Sequence, residues 1–347
     1  MKAARLHGVG DIRLGEEPVP EHGPGMCLVR VTAVGICGSD LHWWDEGGIG
    51  DTVLTAPVVL GHEAAGVIED GPRRGERVAI DPAIWCGTCR PCCDGYRNLC
   101  TRVAFAGHGG QDGAMREFMA WPEHLLHRLP DGVTDAGGAV LEPLGVAIHA
   151  LDLGHVRLGS PVTVVGCGPI GLLLIQVLRA AGAGPVTAFD PLPHRLAAAT
   201  RFGAAAALDP AAVRAPGDLG QVVGEGVDVA FEIAGTGEAV QLAMLAARPG
   251  GRVVLGGIPA SDKIAFGASA ARRKGLTIAM ARRMNEVYPR AIGLAAGGQV
   301  ELDPLVTGRY GLAQAPDAMA AAAARTGLKI IIEPSTGSGG TPYSPSR

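Results

Sequence analysis

Up to about residue 130, short apolar and β-branched runs alternate with glycines, prolines and polar residues: Leu28 to Val34, Pro57 to Leu60, Ala64 to Glu69, Arg77 to Ile80 and Met115 to Ala120. Runs of that length, cut by turn formers, predict the strands of an all-β unit. From residue 160 the texture changes. The apolar run 161-PVTVV-165 enters 166-GCGPIG-171 and an Ala/Leu-rich helix to about Ala181; 185-PVTAFD-190 reads as the next strand and 194-HRLAAATRFG-203 as the next helix. Strands 227-VDVAFEI-233 and 252-RVVLGG-257 then flank a helix from Glu238 to Ala247. This alternation predicts βαβ units in a doubly wound parallel sheet, so the class is α/β plus β. Further on, the pattern predicts a helix from Tyr288 to Ala296, a strand near Leu302 to Val306, a helix from Gln314 to Arg325 and a strand 328-LKIIIE-333. The segment 335-STGSGGTPYSPSR-347 holds too little apolar surface to order itself and is expected to be disordered.

Composition narrows the function classes. With 347 residues the chain suits two ordinary domains, each with its own core, and does not need disulfides for stability. The net charge is −4 and the lysines and arginines are scattered, which argues against a nucleic-acid partner. The N-terminal MKAARLHGVGDIRL lacks a signal-peptide core, and no apolar run approaches the ~20 residues of a membrane span. A cytoplasmic protein without a membrane partner is expected. Five of the eight cysteines fall in 85-WCGTCRPCCDGYRNLC-100, and in a reducing compartment such clusters are metal ligands or redox thiols more often than disulfides.

The GxGxxG stretch has the context that gives it meaning: a strand before it, a helix after it, and an acidic residue, Asp190, closing the next strand. Gly166 permits the tight turn, Gly168 lets backbone approach a pyrophosphate, and Gly171 brings helix and strand together; Pro169 and Ile170 open the helix whose N–H groups face the anion. Asp190 would bind both ribose hydroxyls and repel a 2′-phosphate, favouring NAD. The nearby Arg195 could instead tolerate that phosphate or stack beside the adenine, so NADP stays open.

Cys86, Cys89, Cys92 and Cys100 have the form C-x2-C-x2-C-x7-C, suited to a closed structural zinc site. Cys93 is left over, either as a replacement for Cys92 or as a free thiol. The segments 35-GICGSDLH-42, 60-LGHEAAG-66 and 141-LEPLGVAIHA-150 together offer Cys37, His62, Glu63 and Glu142, a mixed set suited to a zinc with an exchangeable position. Asp40 is the candidate partner for the His62 imidazole.

Taken in order, GICGSDLHWW, GHEAAG, the cysteine lobe, LEPLGVAIHA, VGCGPIG and PLVTGRY resemble the zinc-dependent medium-chain dehydrogenase/reductase family, and within it the sorbitol dehydrogenase-like polyol branch, from Met1 to about Glu333. The resemblance implies a GroES-like catalytic domain (residues 1–144 and 284–334, zinc lobe 85–101) with a Rossmann domain (145–283) inserted in it and a tail from 335. It implies catalytic zinc on Cys37, His62 and Glu63, with Glu142 as a direct or water-mediated fourth group, and structural zinc in the lobe. Ser39 matches the hydroxyl that takes the alcohol proton and His42 a later member of the relay; Trp44, Phe105 and Arg282 or Arg283 are candidates for the pocket wall. The implied activity is NAD-linked oxidation of a polyol or sugar-like secondary alcohol by a homotetramer or dimer. A same-fold dehydrogenase for L-threonine, an aldose or an aminocyclitol is the alternative, whereas a zinc-free reductase or a non-catalytic relative would have no use for Cys37, His62 and Glu63. The segment 105-FAGHGGQDGAM-115, which aligns beside the substrate, departs from the sorbitol-enzyme pattern.

Overall fold

The computed structural model describes residues 1–213, 216–260 and 263–335; the side chains of 216 and 217 are also outside the description. The expected tail therefore lies outside the described residues except for Ser335, whose hydroxyl donates to the Val31 carbonyl at 2.6 Å. The chain divides into two compact units, Met1–Glu142 with Tyr288–Ala296 and Leu302–Arg347, and Pro143–Val287 with Gly297–Glu301.

The first unit is built on the strand Met26–Gly35, in which seven of ten residues are buried. It pairs antiparallel with Glu63–Ile68, with Phe118–Pro122 and with Lys329–Glu333. Outward from these lie Arg77–Ile80 and Leu126–Arg128 on one side and the parallel strand Val306–Gly311 on the other. Val29, Val31, Val34, Ile68, Met119 and Trp121, all fully buried, form its core. Burial of such side chains, at about 1.5–3 kcal/mol each, fixes the register, because a slip of one residue would turn each of them to the opposite face. In that register Gly35 lies opposite Glu63.

The second unit holds a six-stranded parallel sheet in the order Ala206–Leu208, Val186–Phe189, Val162–Val165, Val227–Glu232, Ala247–Leu255, Thr277–Met280. Chain order reverses at Val162–Val165, whose two neighbours are the second and fourth strands of the sheet. That reversal is the switch point at which doubly wound sheets bind nucleotides.

Three local expectations are corrected. The segment Leu302 to Val306 is not a strand: Pro304 supports a 3-10 turn over Asp303–Leu305, and the strand follows as Val306–Gly311. The run from Met115 begins as a loop, since Gly113, Ala114 and Met115 donate their N–H groups to the carbonyls of Val59, Gly61 and Leu60, and pairing with Met26–Gly35 starts only at Phe118. The helix Asp135–Gly154, hidden in the sequence by Gly137, Gly138, Pro143 and Gly145, is long and apolar enough to cross a membrane, contrary to the sequence reading. With 72% of its apolar window buried inside the protein, it is a core helix. Gly138 is required there by close packing, because a Cβ would lie 2.6 Å from Leu129 and 2.9 Å from Ala65.

Candidate functional site

The cysteine lobe gathers Cys86, Cys89, Cys92 and Cys100, whose sulfurs lie within 4.8 Å of one another. Cys89 Sγ is 3.4 Å from Cys92 Sγ and 3.8 Å from Cys100 Sγ. These spacings exclude disulfides, which need about 2.05 Å. They match the edge of roughly 3.8 Å expected for a tetrahedron of sulfurs about 2.3 Å from one zinc ion. Backbone N–H groups already point at the sulfurs, from Cys89 to Cys86 (3.4 Å) and from Cys86 and Arg102 to Cys100 (3.3 and 3.4 Å). N–H donors favour the thiolate, and Cys86 is drawn down to about 5, first by the backbone N–H of Thr88 and then, against the effect of burial, by that of Cys89. Cys93 is exposed and stands outside the group.

The second group stands at strand ends. Cys37 follows Met26–Gly35 and caps the helix Gly38–Glu46, while His62 and Glu63 open the strand Glu63–Ile68. Cys37, His62 and Glu63 each offer a ligand atom within 4.8 Å of the others, and His62 and Glu63 are buried. Asp40, fully buried, joins the two segments: its carboxylate accepts the Cys37 N–H (2.9 Å) and the Gly61 N–H (3.2 Å), and lies 3.5 Å from His62 Nδ1. Ser39 Oγ sits 3.4 Å from His62 Nε2, and His42, on the same helix, is 3.1 Å from Glu46.

Glu63 explains two other residues. Its Oε2 is ion-paired with Lys329, which is itself 2% exposed and donates to the Ile36 carbonyl at 2.9 Å. Burial alone would lower the lysine, but Glu63 beside it, and then Cys37 and Glu142, hold it above its ordinary value. Gly35 has no side chain because a Cβ would fall 2.1 Å from Glu63 Oε2. Glu63 Oε1 remains buried without a hydrogen-bond partner. An orphaned carboxylate oxygen beside a thiol and an imidazole is a donor set that a cation completes. Glu142 lies outside the close trio, and burial pushes it up to about 7, with Glu63 adding repulsion. A bound cation would oppose both effects.

In the second unit, Gly166 adopts φ 102°, and a Cβ there would meet the Ala234 N–H at 2.8 Å; one on Gly171 would strike the Gly166 carbonyl at 1.9 Å. Gly168, by contrast, faces space, its nearest neighbour being Arg195 at 3.9 Å, and it caps the helix Pro169–Ala180. Room, backbone N–H groups and a helix N-terminus suit a pyrophosphate. Asp190 accepts from the Cys167 N–H (2.8 Å) and the Leu192 N–H (2.9 Å), and Arg195 lies 3.9 Å from it. The carboxylate is thus tied to the glycine turn with lone pairs to spare.

Two family models match the chain, an alcohol dehydrogenase GroES-like domain over residues 23–131 and a zinc-binding dehydrogenase domain over 169–297. A protein of Neosartorya fischeri named "Probable D-xylulose reductase A" is 38% identical over 340 residues, covering 94% of this chain and 95% of that one. The chain belongs to the zinc-dependent medium-chain dehydrogenases. Sorbitol dehydrogenase of Bacillus subtilis is 35% identical over 343 residues, 96% of this chain and 97% of that one. A zinc-binding dehydrogenase of Sinorhizobium meliloti, solved with NADP bound, superposes with a TM-score of 0.87 at 33% identity over 96% of this chain and 99% of that one. The GroES-like and Rossmann-like parts of these medium-chain dehydrogenases are the β and α/β units described above.

Of the residues singled out in the sequence of this dehydrogenase, Cys37, Ser39, Asp40, His62 and Glu63 are brought together, with Phe105 against them at a ring separation of 5.3 Å from His62. Trp43 belongs to the buried core and stands edge-on to His108 at 5.6 Å, and Trp44 is partly buried against the same core. Sequence reasoning missed Lys329, Gly35 and His108. A lysine at the head of the apolar run LKIII was a usable signal for the first, since lysine is almost never fully buried without a partner.

Proposed function

We infer that this dehydrogenase oxidises a secondary alcohol of a polyol or sugar-like substrate to the ketone, with NAD as hydride acceptor. The observation that carries the reading is the trio Cys37, His62 and Glu63 with an unpartnered buried carboxylate oxygen. Zinc held there, with Glu142 close by, would supply Lewis acidity to the substrate hydroxyl. Asp40 lies against the His62 imidazole and holds the Cys37 backbone, and Lys329 neutralises one oxygen of Glu63 while the other has no hydrogen-bond partner. Ser39 receives the hydroxyl proton and His42, beside Glu46, passes it to solvent. The lobe cysteines would hold a second, structural zinc.

In the Rossmann unit Gly166, Gly168, Pro169, Ile170 and Gly171 receive the pyrophosphate, and Asp190 the adenosine ribose hydroxyls. NADP is the second reading, favoured by Arg195 beside Asp190 and by the NADP found in the Sinorhizobium meliloti structure. Polyol specificity is supported by the relatives named for D-xylulose and sorbitol. The assembly is a dimer or tetramer: the outermost strand of the parallel sheet, Thr277–Met280, exposes Ile278 and Met280 along an open edge, a surface suited to pairing with a second copy. A cytoplasmic location suits eight unpaired cysteines.

The test is reduction of NAD and NADP, followed by nicotinamide absorbance, across xylitol, sorbitol, ribitol, L-threonine, glucose and simple secondary alcohols, with and without a zinc chelator. Chelator-sensitive, NAD-linked turnover of a polyol is expected. Turnover confined to threonine or glucose would overturn the substrate class.

A further inference from the structure

The segment that carries the lobe cysteines has little apolar surface to hold it in shape: Gly87, Thr88, Arg90, Cys93, Asp94, Gly95, Tyr96 and Leu99 are all exposed. Its regular structure amounts to one helical turn, Arg90–Cys93, and one 3-10 turn, Arg97–Leu99. In a segment without a core of its own, the geometry of the sulfurs depends on the groups that donate to them. Three arginines lie between Cys86 and Arg102 inclusive. Arg90 pairs with Asp94 at 2.5 Å, and Arg97 lies over the Trp85 ring at 4.0 Å. Arg102 turns to the sulfurs.

Arg102 reaches two of the four sulfurs at once. Its backbone N–H donates to Cys100 Sγ (3.4 Å), and its guanidinium Nη2 donates to Cys86 Sγ (3.4 Å). The same Nη2 donates to Thr88 Oγ1 at 2.6 Å, and the Thr88 hydroxyl faces Cys86 Sγ at 3.8 Å. Thr88 thus accepts from the arginine and turns its own proton toward the sulfur, which closes a ring of three residues around Cys86. Cys86 and Cys100 are the first and last cysteines of the group, and the Cys86 N–H donates to Cys100 Sγ at 3.3 Å. Arg102 therefore clasps the two ends of the segment where they meet. Cys86, like Cys89, is half-buried, whereas Cys92 and Cys100 are buried, so the clasp lies on an accessible side of the group.

We propose that Arg102 is a positioning residue of the lobe: braced by Thr88, it holds Cys86 against Cys100 and sets how fast the four-sulfur site gives up its ion. The inference rests on the reading of the lobe as a zinc site. A solitary exposed ion pair contributes little, and an arginine that only covered surface would be replaceable. The difference here is the charge of the group it serves. Four thiolates around one divalent cation leave two negative charges unbalanced, and a guanidinium held at both a sulfur and a hydroxyl offsets part of that charge in a fixed direction. Donors to sulfur also withdraw electron density from the thiolate, which makes Cys86 less open to attack at the accessible side.

The experiment uses the full chain carrying Cys37→Ala, so that zinc release reports on the lobe, and follows transfer of the ion to an excess of chromogenic chelator. Arg102→Met, Arg102→Lys and Thr88→Val are added one at a time. Arg102→Met is expected to speed release about 10-fold, and Thr88→Val to speed it by less. Arg102→Lys, which keeps the charge without the planar fork, should recover part of the retention. With cobalt in place of zinc, the thiolate-to-metal charge-transfer band should move to longer wavelength in Arg102→Met, a signature that general loosening of the fold would not produce. Unchanged release in both Arg102→Met and Thr88→Val would overturn the proposal and leave the zinc reading intact. Faster release with the cobalt band unmoved would mean a loosened fold and would also overturn it. A Cys37→Ala chain that binds no zinc would overturn both the proposal and the reading of the lobe.

Discussion

Two of the candidate metal groups in the first unit, the cysteine lobe and the trio Cys37, His62 and Glu63, are built on opposite principles. The lobe takes four identical soft donors from one short segment, Cys86 to Cys100, and surrounds them with backbone N–H groups. The trio takes one sulfur, one imidazole and one carboxylate from the ends of two paired strands, and leaves a buried carboxylate oxygen without a hydrogen-bond partner. Four thiolates saturate a tetrahedral ion and leave it nothing to exchange, so the lobe contributes to folding. Three unlike donors leave a position open, which costs more protein around them. Asp40 must hold two backbone segments and an imidazole, Lys329 must balance a buried carboxylate, and Gly35 must give up its side chain. Chemical openness at one site is supported by long-range structure that the closed site does not need.

Substitution separates the two. Cys37→Ala is expected to lower turnover by more than about 10⁴-fold, roughly 5.5 kcal/mol of transition-state stabilisation, while the melting temperature changes little. Cys89→Ser is expected to do the reverse, lowering the melting temperature and sparing kcat in the protein that remains folded; steady-state kinetics paired with thermal unfolding checks both. Loss of kcat in a stable Cys89→Ser protein would erase the distinction between the sites.

Lys329→Met should destabilise the fold by about 3–5 kcal/mol in urea titrations, because Glu63 is left as an unpaired buried charge. Adding Glu63→Gln should recover part of that loss, and no recovery would mean that the pair is not what the lysine serves. Asp40→Asn is expected to weaken zinc affinity at the trio about 10- to 100-fold without touching the lobe, measured by competition with a chromogenic chelator.

The smallest effect concerns pH. His127, stacked on Tyr288 at 4.5 Å and 5°, is lowered from its ordinary 6.5 to about 4 by burial and then by the charges of Arg73 and His124. Its folded pKa lies below the unfolded one, so the unfolded chain binds the proton first. Stability is therefore lost as pH falls from about 6.5 toward 4, by about 1–2 kcal/mol after allowance for partial exposure. His127→Gln should flatten that part of the stability profile, read from urea midpoints across the interval.

How much of this could be read from the chain follows the same division. The lobe was legible because its ligands are sequence neighbours, and the parallel sheet because its glycine turn and Asp190 are adjacent in one βαβ unit. Cys37, His62 and Glu63 emerged only by combining separated segments. Lys329 and Ile36 are 293 residues apart and meet through a strand pairing that no local pattern encodes. The helix Asp135–Gly154 was obscured because its glycines, which read as breakers, are there for close packing, as Gly138 is against Leu129 and Ala65. The segment 105–115 was expected to border the substrate without matching the sorbitol-enzyme pattern, so the resemblance gave His108 no role.

Zinc content per chain, measured in the native protein, Cys37→Ala and Cys89→Ser, addresses the difference between the two sites most directly. Two ions in the native chain and one in each variant, with polyol turnover present only where the Cys37 site is filled, is the expected result. A single ion in the native chain, or full turnover by a Cys37→Ala protein that lacks the second ion, would contradict it.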